Sequence, residues 1–268
     1  MSAPDLSLLT KRRYGPLFVV QFFGAFNDNL FKFAMLFLAT FTLYQNEPEK
    51  AAQLSMIATG LFILPYFLFS AIAGEVADAI DKAKLIRFVK ACEIAIMGIG
   101  LVGLSLKSIP LLLFALFLMG CHSTLFGPVK YSILPQHLKP NEIMGGTGLI
   151  EAGTFLAILG GQLLAGIVPP WEAGLIATGF AVVGLIASLF VPAAPASARL
   201  NIDPNPFRGT WNVIKTARDG RGVWLCILGI SWFFAVGAML LSAFAPLVSR
   251  FLGGNQAVVN VFLLIFSV

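Results

Sequence analysis

Asn27, Asp28 and Asn29 stand in succession, with Lys32 one turn later, inside an apolar run from Leu17 to Leu43. Crossing about 30 Å of hydrocarbon takes roughly 20 helical residues, so this run is long enough to span a membrane. An ionised carboxylate at the middle of a span costs roughly 3 kcal/mol or more. Asp28 and Lys32 are four residues apart, share a helix face and can partly neutralise each other. The amides of Asn27 and Asn29 add donors and acceptors that lipid cannot satisfy. This face must look into protein or a watery cavity.

Other charged residues raise similar questions. Lys130 follows Gly127-Pro128 near the end of another apolar run. Its compact ammonium suits a phosphate headgroup, and it reads equally well as an anchor reaching for the membrane surface. Glu151 enters the next run within two turns of its start. It can face the cavity, pair with Lys130 or rest at the interface. Glu93 is three residues from Lys90, a spacing that allows a local pair as readily as a functional role. His122 is a lone polar group and reads as a hydrogen-bonded packing residue before a proton relay. Gly127-Pro128 is expected to break regular helix hydrogen bonding near the inner end, freeing carbonyls that need other partners.

The elements that position these residues follow from composition. The 268 residues are 58% hydrophobic and 12% charged, far from the balance of an ordinary soluble domain. The net charge of +5 is spread in short clusters between apolar runs, without the contiguous basic face of a nucleic-acid binder. Cys92, Cys121 and Cys226 all fall inside apolar runs without C-x-x-C spacing, and read as small buried hydrophobes. No metal site, cofactor or catalytic residue is expected. Gly145-x-x-Gly148 lacks the strand context of a nucleotide loop.

Seven complete spans are predicted, at 17–43, 54–76, 86–106, 110–130, 144–168, 171–192 and 223–247, and an eighth run goes from Ala257 to Val268. Twelve residues cannot cross a bilayer as a helix, so the expectation is a fragment of a longer protein. Lys11-Arg12-Arg13 before the first run imitates a signal peptide, but the run is too long and too charged, and reads as a retained span. With the amino terminus inside, fourteen Lys and Arg fall in inner segments against three in outer ones, so a cytoplasmic amino terminus is predicted. Gly98, Gly100 and Gly103, with Gly153, Gly160 and Gly161, are expected at close helix contacts.

The domain reading is a six-helix bundle over 1–192, a cytoplasmic linker over 193–222 and the start of a second bundle over 223–268. Pro192-Ala193-Ala194-Pro195 stops the sixth helix. Beyond Asp203-Pro204-Asn205-Pro206, the residues Phe207, Trp211 and Ile214 share a helical face ringed by Lys and Arg, the pattern of an interfacial helix on the inner leaflet.

Six spans, an inner linker and further spans resemble the layout of major facilitator transporters. The segment Gly74-Glu75-Val76-Ala77-Asp78-Ala79-Ile80-Asp81-Lys82-Ala83-Lys84 resembles the signature of that superfamily, Gly-x-x-x-Asp-x-x-Gly followed by basic residues. Gly74 would permit tight helix contact, and Asp78 would pair with a cation or cap a helix. Asp81 stands where the family has Gly, which weakens the expected turn. The resemblance implies a conformational role for Gly74, Asp78, Lys82 and Lys84, and an all-α membrane bundle.

Four strings together resemble one family within the superfamily, the bacterial lysophospholipid transporters. They are Gln21-Phe22-Phe23-Gly24-Ala25-Phe26-Asn27-Asp28-Asn29, Gly74-Glu75-Val76-Ala77-Asp78, Gly127-Pro128-Val129-Lys130-Tyr131-Ser132-Ile133-Leu134 and Gly148-Leu149-Ile150-Glu151-Ala152. The stretch from Phe126 to Leu138 is most similar to members fused to an acyltransferase and an acyl-ligase. This resemblance implies inward movement of lysophospholipids across the bacterial inner membrane, then reacylation on the cytoplasmic side. The expected substrate route is Asn27, Asp28, Asn29, Lys32, Lys130 and Glu151. The expected partners are the lysophospholipid, membrane lipids and a fused or associated acyltransferase, with no nucleic acid.

Two rival readings stand beside this. One is a proton-coupled exporter of small hydrophobic compounds, with Asp28 or Glu151 protonated. The other is the membrane portion of a fused lysophospholipid acyltransferase. The segment itself is not expected to be an enzyme: it holds no His-x-x-x-x-Asp pair, since Gly127 lies five residues after His122 and Glu142 five after His137.

Overall fold

A computed structural model describes residues 6–196 and 205–253, with the further positions 258, 259, 261, 262 and 265. Most of the predicted eighth run, including its start at Ala257, lies outside the described residues, as do Arg199 and Asp203-Pro204 of the linker.

The described chain is helical. The elements are α1 (Gly15–Leu38), α2 (Pro48–Ala79), α3 (Lys82–Leu106), α4 (Ile109–Ser132), the short α5 (Leu134–His137), α6 (Pro140–Ala165), α7 (Pro170–Leu189), α8 (Pro206–Asp219) and α9 (Arg221–Phe251). A 3-10 turn at Leu6–Thr10 precedes α1, and a π-helical turn at Ala39–Leu43 extends it. Each of the seven predicted spans contains one long helix. By length and apolarity, α2, α4, α6 and α7 are able to cross a membrane, and α8 with α9 make a bent pair that adds a fifth. At 24 and 25 residues, α1 and α3 have the same reach, but both carry the polar residues described below.

Prolines set several starts. Pro48, Pro140 and Pro170 each stand at the first position of their helix, where the missing N–H has no partner to lose. Asp81 caps α3 by accepting from the backbone N–H of Lys84 at 3.1 Å. Replacing Gly in the signature therefore does not loosen the turn: a carboxylate at the N-cap satisfies an orphan donor and meets the positive helix end. Gly127-Pro128 lies inside α4, within the predicted 110–130 span. The helix continues to Ser132, because a proline removes only one donor and its neighbours in a bundle absorb the bend.

Helix α1 is the hub, packed against α6 and α7, while α2 lies on α4 and α3 on α4 and α7. Small residues bring the backbones together: a Cβ at Gly161 would stand 2.5 Å from the carbonyl oxygen of Phe26, and one at Gly120 would stand 2.4 Å from that of Phe62. Among the six glycines predicted at close contacts on the third and fifth spans, Gly98 is the exception, since a Cβ there would meet no atom of the described residues within 4 Å. The three cysteines are free; Cys92 and Cys121 are half-buried, but Cys226 is exposed on α9, contrary to the reading of all three as buried.

Candidate functional site

The three consecutive polar residues of α1 point at three different helices, as 100° steps along a helix require. Asn27 is fully buried and donates from Nδ2 to Glu93 Oε1 of α3 at 2.8 Å. Asp28 accepts at Oδ2 from the Ser123 hydroxyl of α4 at 2.6 Å. Asn29 donates to the carbonyl of Ala25 at 2.9 Å and accepts at Oδ1 from Gln162 of α6 at 3.4 Å. About two turns earlier, Gln21 joins α1 to α6 as well, accepting from Thr154 at 2.8 Å and donating to the carbonyl of Ile150 at 3.3 Å.

Behind Asn27 lies a sealed charge cluster. Lys90 Nζ pairs with Glu93 Oε2 at 2.5 Å, and both side chains are almost wholly buried. His122 Nε2 is 3.4 Å from the same carboxylate, and His122 Nδ1 is 3.4 Å from Ser123 Oγ. Glycine makes room for the lysine. A Cβ at Gly24 of α1 would come within 2.7 Å of Lys90 Nζ, and one at Gly184 of α7 would lie 3.4 Å from its Cδ. The ammonium also sits 5.4 Å from the centre of the Phe126 ring, a cation–π distance. Lys90, counted from sequence among the inner-loop cations, is therefore a core residue. The inside bias falls by one and keeps its sign.

The other predicted route residues are half-buried, as is Asp28. Among the described residues no ion pair within 4 Å joins Asp28 to Lys32. Lys32 Nζ lies over the rings of Phe33 and Phe62, at 5.5 and 5.7 Å. Lys130 Nζ sits 4.7 Å from the centre of the Tyr131 ring, and Tyr131 donates its hydroxyl to Glu151 Oε1 in a short hydrogen bond. Lys130 and Glu151 are thus brought near one another through Tyr131, with no direct pair between them among the described residues. Asp28 and Lys32 belong to the middle of α1, whereas Lys130 is in the last turn of α4.

Of the signature residues, Asp78 Oδ1 is 4.0 Å from Lys82 Nζ, whose side chain is buried. Lys84 is exposed, and a Cβ at Gly74 would meet no atom within 4 Å. The tight contact expected at Gly74 is not made within the described residues.

At the same end of the bundle, Arg13 donates to Glu142 Oε1 at 2.6 Å and to the His137 carbonyl at 3.2 Å. The Arg13 guanidinium holds the Glu142 carboxyl down at about 2, and the carboxylate in turn raises Arg13. Arg87 donates to the carbonyls of Ser188 and Val191, each at 3.4 Å, placing a cation on the negative end of α7.

Sequence reasoning gave Lys90, Glu93, His122 and Ser123 no place in the site. The available signal was depth. Lys90 and Glu93 fall near the middle of a 25-residue helix, and His122 and Ser123 near the middle of a 24-residue one, the same depth as Asp28. A polar residue at that depth needs a polar partner within the bundle.

Comparison with known proteins agrees with this architecture. The chain is 30% identical over 177 residues to the lysophospholipid transporter LplT of Salmonella arizonae, covering 65% of this chain and 42% of the relative. The same identity and length hold for the LplT proteins of Salmonella newport and Salmonella heidelberg, at 41% of each relative. The chain thus spans about two fifths of the length of these curated relatives. The sequence profile described as Major Facilitator Superfamily matches residues 17–268. Apolar helices of spanning length, packed around a polar-centred α1, are what a multi-pass membrane transporter of this kind requires, and the chain belongs to the major facilitator superfamily.

Proposed function

We propose that this chain is the amino-terminal part of a transporter that moves lysophospholipids inward across the bacterial inner membrane by alternating access, supplying them for reacylation on the cytoplasmic side. The lipid class is supported by the relatives named as lysophospholipid transporters. The geometric observation that carries the reading is the contrast in burial on α1. Asn27 is sealed, while Asp28 and Lys32 are half-buried and keep bonding capacity to spare.

In this reading Asp28, Lys32, Lys130 and Glu151 line the polar route. Lys130 is the partner for the headgroup phosphate, because an ammonium is a compact anion site. Asn27 and Asn29 stand behind the route, tying α1 to α3 and α6. Gly74, Asp78, Lys82 and Lys84 act in the conformational cycle. Residues 1–192 form the first bundle, 193–222 an inner linker and 223–268 the start of a second bundle, with the amino terminus cytoplasmic. Reacylation belongs to a fused or associated enzyme.

The second reading, proton-coupled export of small hydrophobic compounds, draws on His122 standing between Glu93 and Ser123. Uptake of labelled lysophosphatidylethanolamine by the intact protein in reconstituted vesicles separates the two. Uptake that persists without a proton gradient and falls in Asp28→Asn supports the flippase, and no lipid uptake at all ends it.

A further inference from the structure

Helix α8 carries apolar and basic residues on one side and is turned away from the helix that follows it. Asn205 caps it by accepting from the N–H groups of Phe207 and Arg208. Gly209 faces α2, where a Cβ would stand 3.2 Å from Ala71 Cβ. The opposite side is open: Phe207 is 66% exposed and Trp211 is 65% exposed. At 100° per residue, Phe207, Trp211, Lys215 and Arg218 lie within one third of the helix circumference. Between 205 and 222 the sole acidic residue is Asp219, against Arg208, Lys215, Arg218 and Arg221.

The junction with α9 sets the direction. The two helices meet at a bend of 118°, and α9 runs for 31 mostly apolar residues. If α9 crosses the bilayer, α8 cannot continue through it and lies across the path of α9. The Arg218 guanidinium, 5.7 Å from the Trp224 ring, closes the corner. A short helix that shows two large aromatics between cations, beside a span, meets the requirements of a membrane-surface element.

We propose that α8 binds the anionic lipid surface of the bilayer leaflet beside the inner end of α2. Phe207 and Trp211 enter the acyl boundary, and Lys215 and Arg218 meet the headgroups. Charge complementarity selects the occupant, since a cation near an anionic leaflet is worth about 1 kcal/mol, roughly a fivefold preference. The docking of Gly209 against Ala71 links this surface to α2, the helix that carries Gly74 and Asp78. Exposure, charge and the bend place α8 at this surface whichever substrate is carried.

The test uses the intact protein in phosphatidylcholine–phosphatidylglycerol vesicles in which one lipid or the other is brominated. Tryptophan quenching is read as the difference between the protein and Trp211→Phe. Brominated phosphatidylglycerol is expected to quench Trp211 about threefold more strongly than brominated phosphatidylcholine, with a preference that weakens as salt screens the surface. Lys215→Gln with Arg218→Gln is expected to equalise the two lipids, while Lys215→Arg with Arg218→Lys keeps the preference. Equal quenching in the unaltered protein overturns the anionic preference. Absence of quenching by either lipid shows that protein covers Trp211, and overturns the surface placement.

Discussion

Asn27 and Asp28 are neighbours in the chain with opposite surroundings. Asn27 is fully buried against a carboxylate that is already paired with Lys90 and approached by His122. Asp28 is half-buried, and among the described residues its one hydrogen bond comes from the Ser123 hydroxyl. Two charges taken out of water cost several kcal/mol each, and their attraction offsets that only when geometry and hydrogen bonds are complete. In the cluster behind Asn27 the Lys90–Glu93 pair is close and Gly24 and Gly184 are shaped around Lys90, while Asn27 Oδ1 and His122 Nε2 have no hydrogen-bond partner among the described residues. It behaves as a lock between α1, α3 and α7. Asp28 has no such ion pair among the described residues, and in the proposed route it is the carboxylate left to meet a substrate.

Perturbing the lock should give the largest effect. Glu93→Ala strands a buried ammonium, at about 3–5 kcal/mol, and thermal unfolding in detergent should drop by roughly 6 °C or more. Replacing Lys90 and Glu93 together by Leu should recover much of that loss. A Glu93→Ala protein as stable as the parent would dissolve the distinction between the two sites. Gly24→Leu comes next, since it drives side-chain atoms into Lys90 and should cost about 1–3 kcal/mol in the same assay.

Asp28→Asn should divide the regions the other way. If Asp28 accepts one charged hydrogen bond from the headgroup, its loss, about 1.5–3 kcal/mol, should lower the proposed lysophospholipid uptake by roughly tenfold or more, with little change in unfolding temperature because an amide oxygen still accepts from Ser123. If Asp28→Asn combined with Lys32→Met regains uptake, Asp28 serves only Lys32 and leaves the proposed route.

The smallest effect lies at the rim. The Glu142 carboxyl is held down at about 2 by Arg13, against an ordinary value of 4.5. A depressed folded value means the pair contributes its stability above the ordinary range, and loses it as pH falls from about 4.5 toward 2. Arg13→Gln should flatten a slight fall in unfolding temperature between neutral pH and pH values in that window. An unchanged slope would mean that the rim pair is silent.

The substitution of Asp81 for the signature glycine illustrates how far local reasoning reaches. From sequence it looks like a weakened turn; in three dimensions it is the N-cap of α3. Likewise Gly127-Pro128 removes a helix donor in sequence terms, and α4 runs through it. Local chemistry names what a residue can do, and neighbours decide which option is taken. Asp28 with Lys32 is the clearest instance: four-residue spacing permits a pair, but Ser123 from another helix claims the carboxylate.

Apolar run length by itself determined where the long helices lie, because a bilayer demands a minimum number of apolar residues and the runs meet it. The mid-span position of Asn27-Asp28-Asn29 was equally plain, because a polar group at that depth is costly wherever the chain folds. Only the tertiary structure decided which of the three is sealed and which is open. That outcome depends on partners 66 and 95 residues away, Glu93 and Ser123. It depends too on the glycines of α1 and α7 that leave a lysine-shaped space. Helix periodicity separates the three directions, and only packing determines what waits in each.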